Sequence, residues 1–212
     1  MIHAQWLGRL EYRWAWRLQH LRREAVERGT APEVLWTLEH DPVVTLGRRA
    51  AAVDVAGLGS RGVPVVQTER GGLATWHGPG QLTGYLLVDI GRRGWAIRKV
   101  VEGIESGLIG WLATQGVSAG RRDGLHGVWV GHDKVGAIGL HVRRGVTMHG
   151  FALNLDPGPA AFTGIVPCGV EDGGVTSLAR LTGRVNRPDE VADVVGSTVL
   201  DAIARANAVP NG

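Results

Sequence analysis

The chain has almost no cysteine and no long apolar run. Cys168 is the only cysteine among 212 residues, which excludes an internal disulfide framework and a four-cysteine zinc site. We therefore expect a reducing, cytoplasmic setting. The apolar runs are short and interrupted by glycine, charge or proline, so no contact with a membrane is expected. Residues 1–29 lack the apolar block of a secretory signal and predict an amphipathic first helix.

Lysine is almost absent as well. The 23 basic residues include only two lysines, Lys99 and Lys134, so each lysine marks a position where arginine was not used. The formal net charge is +3 and the pI is about 9.6, which favours an acidic partner. Because the arginines occur in scattered pairs rather than in a long run, an acidic protein is favoured and nucleic acid is not expected.

Hydrophobic periodicity predicts a mixed α/β fold in one domain that covers residues 1–212. Apolar residues at helical spacing predict helices over 12–28, over 94–115 and from Pro188 onwards. Strand patterns occur at 33–40, 42–47, 63–70, 81–90, 127–130, 134–142 and 146–155, and the last two are joined by the turn sequence RRG as a hairpin. No repeat, low-complexity tract or linker divides the chain.

The segment RGGLATWHGPGQLTGY, residues 70–85, is rich in glycine. Glycines let backbone N–H groups approach a ligand closely, and Arg70 and His77 offer polar contacts. The alternative is an ordinary glycine-rich turn between strands. The segment lacks the Gly-Lys-Ser/Thr of a phosphate-binding loop and the spacing of a dinucleotide-binding fingerprint.

Lys134 stands in GHDKVGAIGLHV, just before a run of small residues that leaves room for a substrate. The alternative is a solvated surface charge. Four histidines surround this stretch, at positions 126, 132, 141 and 149. Their spacing matches no common ligand pattern and no carboxylate cluster joins them, so we expect no metal site.

Cys168 lies in GIVPCGV, where Pro167 and Gly169 favour a thiol presented from a rigid loop. The alternative is a small buried packing residue, which is common for free cysteines. A thiol with an ordinary pKa near 8.5 needs a cationic neighbour or a base to act as a nucleophile. Lys134, 34 residues upstream, is a chemically sufficient partner. Such a pair forms an acyl thioester and passes the acyl group on.

Four segments, in this order, resemble the lipoyl(octanoyl)-protein transferases, the octanoyltransferases of lipoate biosynthesis. They are LEHDPVVTLGRR (38–49), RGGLATWHGPGQLTGY (70–85), GVWVGHDKVGAIGLHVRRGVTMHGFALNL (127–155) and IVPCGVEDGGVTSL (165–178). The resemblance implies the α/β catalytic domain shared by lipoate-protein and biotin-protein ligases. It implies transfer of an octanoyl group from acyl carrier protein to the ε-amine of a lysine, the first step of endogenous protein lipoylation, without a cofactor. The acceptors implied are lipoyl domains of 2-oxoacid dehydrogenase complexes and the glycine cleavage H protein.

The same resemblance implies roles for particular residues. Cys168 is the acyl-thioester nucleophile, and Lys134 lowers the pKa of its thiol, most simply as the ammonium partner of a thiolate. The acyl chain and thioester are held by Arg70, Gly71, Gly72, Leu73, Ala74, Thr75, Trp76, His77, Ala137, Ile138, Gly139, Gly150, Phe151 and Ala152. The sequence departs from the family at Gly136, often alanine, and at Trp76, often tyrosine; either change could reshape the pocket.

Three alternatives stay open at this point. An ATP-dependent lipoate or biotin ligase uses the same fold but needs no cysteine nucleophile. A Cys–His hydrolase would use His77 or His149 as its base and release the acyl group to water. A catalytically silent binding module would retain its function when Cys168 is replaced by alanine.

Overall fold

Ten strands and four helices make up the described part of the chain. The computed structural model describes residues 2–50, 62–165 and 173–208. The strands are β1 His3–Leu10, β2 Val34–His40, β3 Val43–Leu46, β4 Val65–Gln67, β5 Ala74–His77, β6 Gln81–Leu87, β7 Gly120–Arg122, β8 Leu125–Val130, β9 Asp133–Arg143 and β10 Val146–Asn154. The helices are α1 Tyr12–Glu27, α2 Ile97–Thr114, α3 Leu178–Thr182 and α4 Pro188–Ala208.

A seven-stranded sheet in the order β1-β2-β6-β10-β9-β8-β7 forms the centre of the fold. Alternate residues of β2 face opposite sides of it, as the two-residue period of a strand requires. Leu35 packs with α2 and α4 on one side. Val34, Trp36 and Leu38 pack with α1 on the other. Both faces of the sheet are therefore covered, which explains why β2 and β6 are buried almost throughout.

Helices α2 and α4 lie against each other through two glycines of α2. A Cβ atom added at Gly107 would lie 2.6 Å from the Cα of Val199, and one at Gly103 would lie 2.5 Å from the Cα of Ile203. These distances are too short for any side chain. The two helix backbones can approach this closely only because both positions are glycine.

A second sheet of three strands, β4-β3-β5, lies beside the first. Its edge strand β5 comes from the glycine-rich segment and pairs antiparallel with β3. The predicted hairpin is confirmed: β9 and β10 pair antiparallel around Arg144 and Gly145. Both turn residues have positive φ, at 50° and 83°, as a two-residue hairpin turn of this hand requires.

The mixed α/β class, the three predicted helices and the seven predicted strands are confirmed by these elements. Strand β1, His3–Leu10, was not predicted; it pairs parallel with β2 and precedes the first helix, which begins at Tyr12 as predicted. Glu11 starts that helix by accepting hydrogen bonds from the N–H groups of Arg13 and Trp14, both at 2.9 Å. None of the described helices is long and apolar enough to cross a membrane.

Candidate active site

A cavity of about 480 Å³ lies where the glycine-rich segment meets strands β9 and β10 of the large sheet. Thirteen of the fourteen residues predicted to hold the acyl group line it. They are Arg70, Gly71, Gly72, Leu73, Ala74, Thr75, His77, Ala137, Ile138, Gly139, Gly150, Phe151 and Ala152. Residues far apart in sequence thus form one concave surface, and much of that surface is apolar.

Trp76 and Gly136, the two departures from the family pattern, face elsewhere. Trp76 is buried and packs edge-on against Phe162, with 5.7 Å between the ring centroids. A Cβ added at Gly136 would lie 3.3 Å from the Cβ of Val128 and 3.6 Å from a methyl group of Leu108, in the core under α2. Neither residue is among those that line the cavity.

Arg70 holds the glycine-rich segment in place from inside. Its Nη2 atom donates to the carbonyl oxygens of Thr45 at 2.6 Å and Leu73 at 2.8 Å, and its Nη1 atom donates to Gly71 O at 3.0 Å. The guanidinium is buried and binds the backbone on either side of the segment. Arg70 therefore acts as a scaffold for the cavity wall, which the sequence alone did not show.

The glycine-rich segment lies directly on strand β9. The N–H of Gly71 donates to Leu140 O at 3.1 Å. A Cβ added at Gly139 would lie only 2.8 Å from Gly71 O, so this position cannot carry a side chain without moving the segment. At this contact the glycines allow one backbone to approach another, and the close approach of a ligand stays a prediction.

Lys134 points into the cavity from the start of β9. Its exposed fraction is only 8%, so the alternative of a solvated surface charge was wrong. The Nζ atom donates to His126 O at 3.1 Å and lies 4.5 Å from the ring centroid of Trp129. These contacts hold the cation in a fixed place.

An irregularity in the sheet explains the direction of Lys134. Strand β8 pairs Val128 with Gly136 but Trp129 with Lys134, so β9 has one extra residue, Val135, at this point. A bulge of this kind turns the side chains on either side of it to opposite faces of the sheet. Lys134 consequently faces the cavity while Gly136, two residues later, faces the core.

Cys168 lies outside the described residues, in the stretch 166–172. The residues on either side of that stretch are held near the site. Ile165 packs in the same apolar cluster as Trp76. Gly174 and Thr176 pair with Lys134, through Lys134 N to Gly174 O and Thr176 N to Lys134 O, both at 3.0 Å.

His77 is a fixed, neutral part of the cavity wall. Its Nδ1 atom lies 2.7 Å from Gln81 Oε1, and its Nε2 atom lies 3.3 Å from Thr45 Oγ1. Because the Gln81 oxygen only accepts, Nδ1 carries the proton and Nε2 accepts from the Thr45 hydroxyl. Burial lowers the pKa of His77 well below its usual 6.5. With both ring nitrogens engaged, His77 is poorly suited to the role of general base.

His149 is directed towards α1. Its Nε2 atom lies 3.3 Å from Glu69 Oε1, and its backbone N–H donates to Gln19 Oε1 at 2.8 Å. Burial lowers the pKa of His149, with Glu69 opposing that change. Its φ of 58° is unusual for a residue other than glycine. The two histidines named for the hydrolase alternative therefore differ: both ring nitrogens of His77 are engaged, whereas Nδ1 of His149 has no hydrogen-bond partner among the described residues.

The cavity has further polar lining residues that were not assigned to it from the sequence, among them Tyr12, Thr83 and Tyr85. The Tyr85 hydroxyl lies 2.6 Å from Nε2 of His40, whose Nδ1 lies 2.9 Å from Leu10 O. Since a carbonyl can only accept, His40 carries its proton on Nδ1 and Tyr85 donates to Nε2. The sequence around these residues offers no signal strong enough to assign them to a cavity.

A metal centre finds no support in the described ranges. Across residues 2–50, 62–165 and 173–208, no group of three or more His, Cys, Asp or Glu side chains is placed to hold an ion. Of the four histidines considered from the sequence, His126 and His149 line the cavity.

Comparison with known proteins identifies the family. The family model of the lipoyl protein ligase A/B catalytic domain matches residues 11–199. The chain belongs to this family. An octanoyltransferase of Mycolicibacterium gilvum is 44% identical to the chain over 213 residues, covering 95% of this chain and 85% of the relative.

Solved structures of the lipoyl protein ligase A/B fold and its relatives show the same architecture. Plasmodium falciparum LipL1 in complex with lipoate superposes with a TM-score of 0.66 at 10% identity, over 97% of this chain and 61% of that one. The apo biotin protein ligase of Aquifex aeolicus superposes with a TM-score of 0.55 at 12% identity, over 97% and 69%. The predicted fold, shared by lipoate-protein and biotin-protein ligases, is confirmed.

Proposed function

We propose that this protein is an octanoyltransferase that takes an octanoyl group from the phosphopantetheine thioester of acyl carrier protein and delivers it to a lysine ε-amine on a lipoyl domain. The acceptors are lipoyl domains of 2-oxoacid dehydrogenase complexes and the glycine cleavage H protein. The observation that carries the proposal is a buried lysine at the wall of a partly apolar cavity, in a chain 44% identical to an octanoyltransferase.

The cavity suits an acyl chain next to a reacting carbonyl. Leu73, Ile138 and Phe151 supply apolar surface, while Lys134 supplies a cation at the same cavity. An acyl thioester needs both, because its chain prefers an apolar wall and its carbonyl develops negative charge during attack. The N–H of Gly71 already donates to Leu140 O, so other backbone N–H groups of the segment would receive the oxyanion.

In the first half of the reaction the Cys168 thiolate attacks the donor carbonyl. The new C–S bond forms, the bond from the carbonyl to the phosphopantetheine sulfur breaks, and the departing thiolate takes a proton from the Lys134 ammonium. The pairing of Gly174 and Thr176 with Lys134 supports this partnership, since these residues follow Cys168 closely in the chain.

In the second half the acceptor lysine, as a neutral amine, attacks the Cys168 thioester. The C–N bond forms, the Cys168 sulfur leaves as a thiolate, and the proton lost by the amine returns to the neutral Lys134. The enzyme regains its starting state with thiolate and ammonium together. No nucleotide or metal takes part in either half.

An exposed arginine at the cavity supports an acidic protein as donor. Arg49 is exposed and lines the cavity, so it lies at the opening. Acyl carrier protein is acidic and presents its acyl group on a phosphate-bearing arm, and both features favour a cationic entrance. The KM for the donor is expected to rise with ionic strength.

The test is intact mass spectrometry after mixing the protein with octanoyl-acyl carrier protein in the absence of ATP. The expected result is one octanoyl group on the protein that maps to Cys168 after digestion, and its loss to a lipoyl domain added next. The Cys168→Ala variant should form no adduct. Lys134→Arg keeps the charge but not the lysine proton chemistry, so full activity in that variant would disprove the proton role.

The alternatives give different results in the same experiment. Transfer that requires octanoate and ATP would identify an ATP-dependent ligase. Release of octanoate to water in the presence of the lipoyl domain would identify a hydrolase. An unchanged biological function in the Cys168→Ala variant would identify a binding module.

A further inference from the structure

Glu105 is a buried carboxylate in the apolar face of helix α2. Its neighbours on that face, Ile104 and Leu108, are fully buried in the core, and the exposed fraction of the Glu105 side chain is 5%. A buried carboxylate is costly unless it is paired and hydrogen-bonded. The contacts of the Glu105 carboxylate therefore show how the cost of its burial is offset.

Two partners hold the two oxygens of Glu105. Oε2 receives the Nε–H of Arg121 at 2.7 Å, and Arg121 also donates to Glu102 O on the same helix at 2.8 Å. Oε1 receives the backbone N–H of Gly127, in strand β8, at 3.1 Å. Arg121 thus holds one oxygen of the carboxylate, and the other oxygen binds the N–H of one peptide group of β8.

That same peptide group holds the lysine of the candidate site. The N–H of Gly127 and the C=O of His126 belong to one peptide unit, and His126 O receives Lys134 Nζ at 3.1 Å. In a trans peptide these two groups point in opposite directions. Glu105 and Lys134 therefore contact opposite ends of one dipole. The carboxylate at the N–H and the ammonium at the C=O polarise it in the same sense, which strengthens both hydrogen bonds.

Gly127 allows this orientation of the peptide but does not by itself fix it. Its φ of 131° lies in a region that other residues rarely adopt. A Cβ there would lie 2.7 Å from Gly136 O and 3.1 Å from Lys134 Cε. A peptide next to a glycine rotates easily, so its orientation needs an external partner. Glu105 is that partner.

We infer that Glu105 is a positioning residue: it fixes the His126–Gly127 peptide so that His126 O holds the Lys134 ammonium at the cavity. The inference rests on the proposed function, because it takes Lys134 as the partner of Cys168. Without Glu105 the peptide turns, the ammonium loses the hydrogen bond to His126 O, and the Cys168 thiolate loses part of its stabilisation.

The test compares Glu105→Ala with Glu102→Ala, one turn earlier on the same helix. Glu102 is a matched control, because its carboxylate pairs with Arg98 at 2.8 Å and Lys99 at 3.6 Å, both on helix α2 itself. Glu105→Ala should lower kcat for octanoyl transfer about tenfold and change KM for the donor less than about twofold. Glu105→Gln, which keeps an oxygen for the Gly127 N–H, should be more active than Glu105→Ala. All variants are measured at a temperature at which circular dichroism shows them folded.

A second readout reports on the thiol without any substrate. The chain has one cysteine, so the rate of its alkylation by iodoacetamide follows the thiolate of Cys168. The alkylation midpoint should move to higher pH in Glu105→Ala and stay in place in Glu102→Ala. The other charged groups nearby remain in both variants: Asp133, whose carboxylate binds Gly174 N, and Arg122 beside Trp129.

The outcomes separate this inference from the proposed function. If Lys134→Met lowers kcat and moves the alkylation midpoint but Glu105→Ala matches Glu102→Ala in both assays, the positioning role is overturned and the proposed function stands. If Lys134→Met also leaves both quantities unchanged, the proposed function itself fails. Equal activity of Glu105→Gln and Glu105→Ala would overturn the role of the accepting oxygen.

Discussion

Gln81 donates from its Nε2 atom to Asn154 Oδ1 at 2.9 Å, with both side chains buried. Gln81 also donates to Trp76 O at 3.1 Å, and Asn154 donates from Nδ2 to Thr176 O at 3.0 Å. Thr176 in turn pairs with the backbone of Lys134. A continuous series of buried hydrogen bonds thus runs from the glycine-rich segment across the large sheet to the residues that follow the Cys168 stretch.

Asn154→Ala should lower the free energy of unfolding by about 2 kcal/mol, because it leaves Thr176 O and a Gln81 N–H without their partner in the protein interior. Urea unfolding measures the change. Asn207→Ala is the matched control: its amide donates to Ile203 O one turn back on α4 at 2.9 Å, at the helix end. Equal losses in the two variants would contradict the prediction.

Acid should destabilise the protein through His40. Burial lowers the pKa of His40 to about 4, while the unfolded chain binds the proton near 6.5. The unfolded state therefore holds more protons between these values, and the free energy of unfolding falls as the pH drops from about 6.5 to about 4. The shift corresponds to about 3 kcal/mol over that window.

His40→Gln tests the assignment to this residue. Glutamine can still donate to Leu10 O and accept from the Tyr85 hydroxyl, but it does not titrate. Urea unfolding at several pH values should show a shallower loss of stability below pH 6.5 than in the parent chain. Parallel curves would show that His40 does not cause the loss.

A comparison of Thr83 with Thr37 distinguishes a buried hydroxyl that lines the cavity from one that is only buried. Within the described residues, the hydroxyls of Thr83 and Thr37 are both buried without a hydrogen-bond partner, and of the two only Thr83 lines the cavity. Replacement of either by valine should raise the free energy of unfolding by about 1 kcal/mol. Only Thr83→Val should also lower the KM for the octanoyl donor, by about threefold. Identical KM values would show that the acyl chain does not reach Thr83.

Two glycines of α2 should respond to alanine in opposite directions. At Gly107 a methyl group meets the backbone of Val199, so Gly107→Ala should cost about 2 kcal/mol of stability. At the exposed Gly110 no atom lies within 4 Å of the added Cβ. There the better helix propensity of alanine should stabilise the protein by about 1 kcal/mol. Thermal unfolding measures the stability of both variants. A change of Tm in the same direction in both would contradict the close contact between α2 and α4.

The sequence predicted the elements that have a long hydrophobic pattern and those that pair with the next element in the chain. Val100, Ile104 and Leu108 at helical spacing predicted helix α2. The turn sequence between two strand patterns predicted the β9–β10 hairpin. Strand β1 was not predicted, because it is a half-exposed edge strand that pairs in parallel with β2, an element that follows only after helix α1. Strand β5 was hidden in the glycine-rich segment for the same reason, since it depends on pairing with β3.

The candidate site was predictable only where chemistry or resemblance marked a residue. Lys134 stood out because lysine is rare in this chain, and the glycines stood out by their density. Glu105 carried no such mark, since a glutamate in a helix is ordinary until its burial and its contact with Gly127 are known. The bulge at Val135 was equally invisible, because a single extra residue leaves the strand pattern of β9 unchanged.

Arg70 has a consequence for how a ligand enters. Because its guanidinium ties Thr45, Gly71 and Leu73 together, the glycine-rich wall takes its shape when the protein folds. A ligand that binds there meets a finished surface and does not spend binding free energy on ordering a loop. At this wall an acyl chain is therefore selected by how well it fits a surface that does not move. Any adjustment to longer or shorter chains must come from residues elsewhere in the cavity.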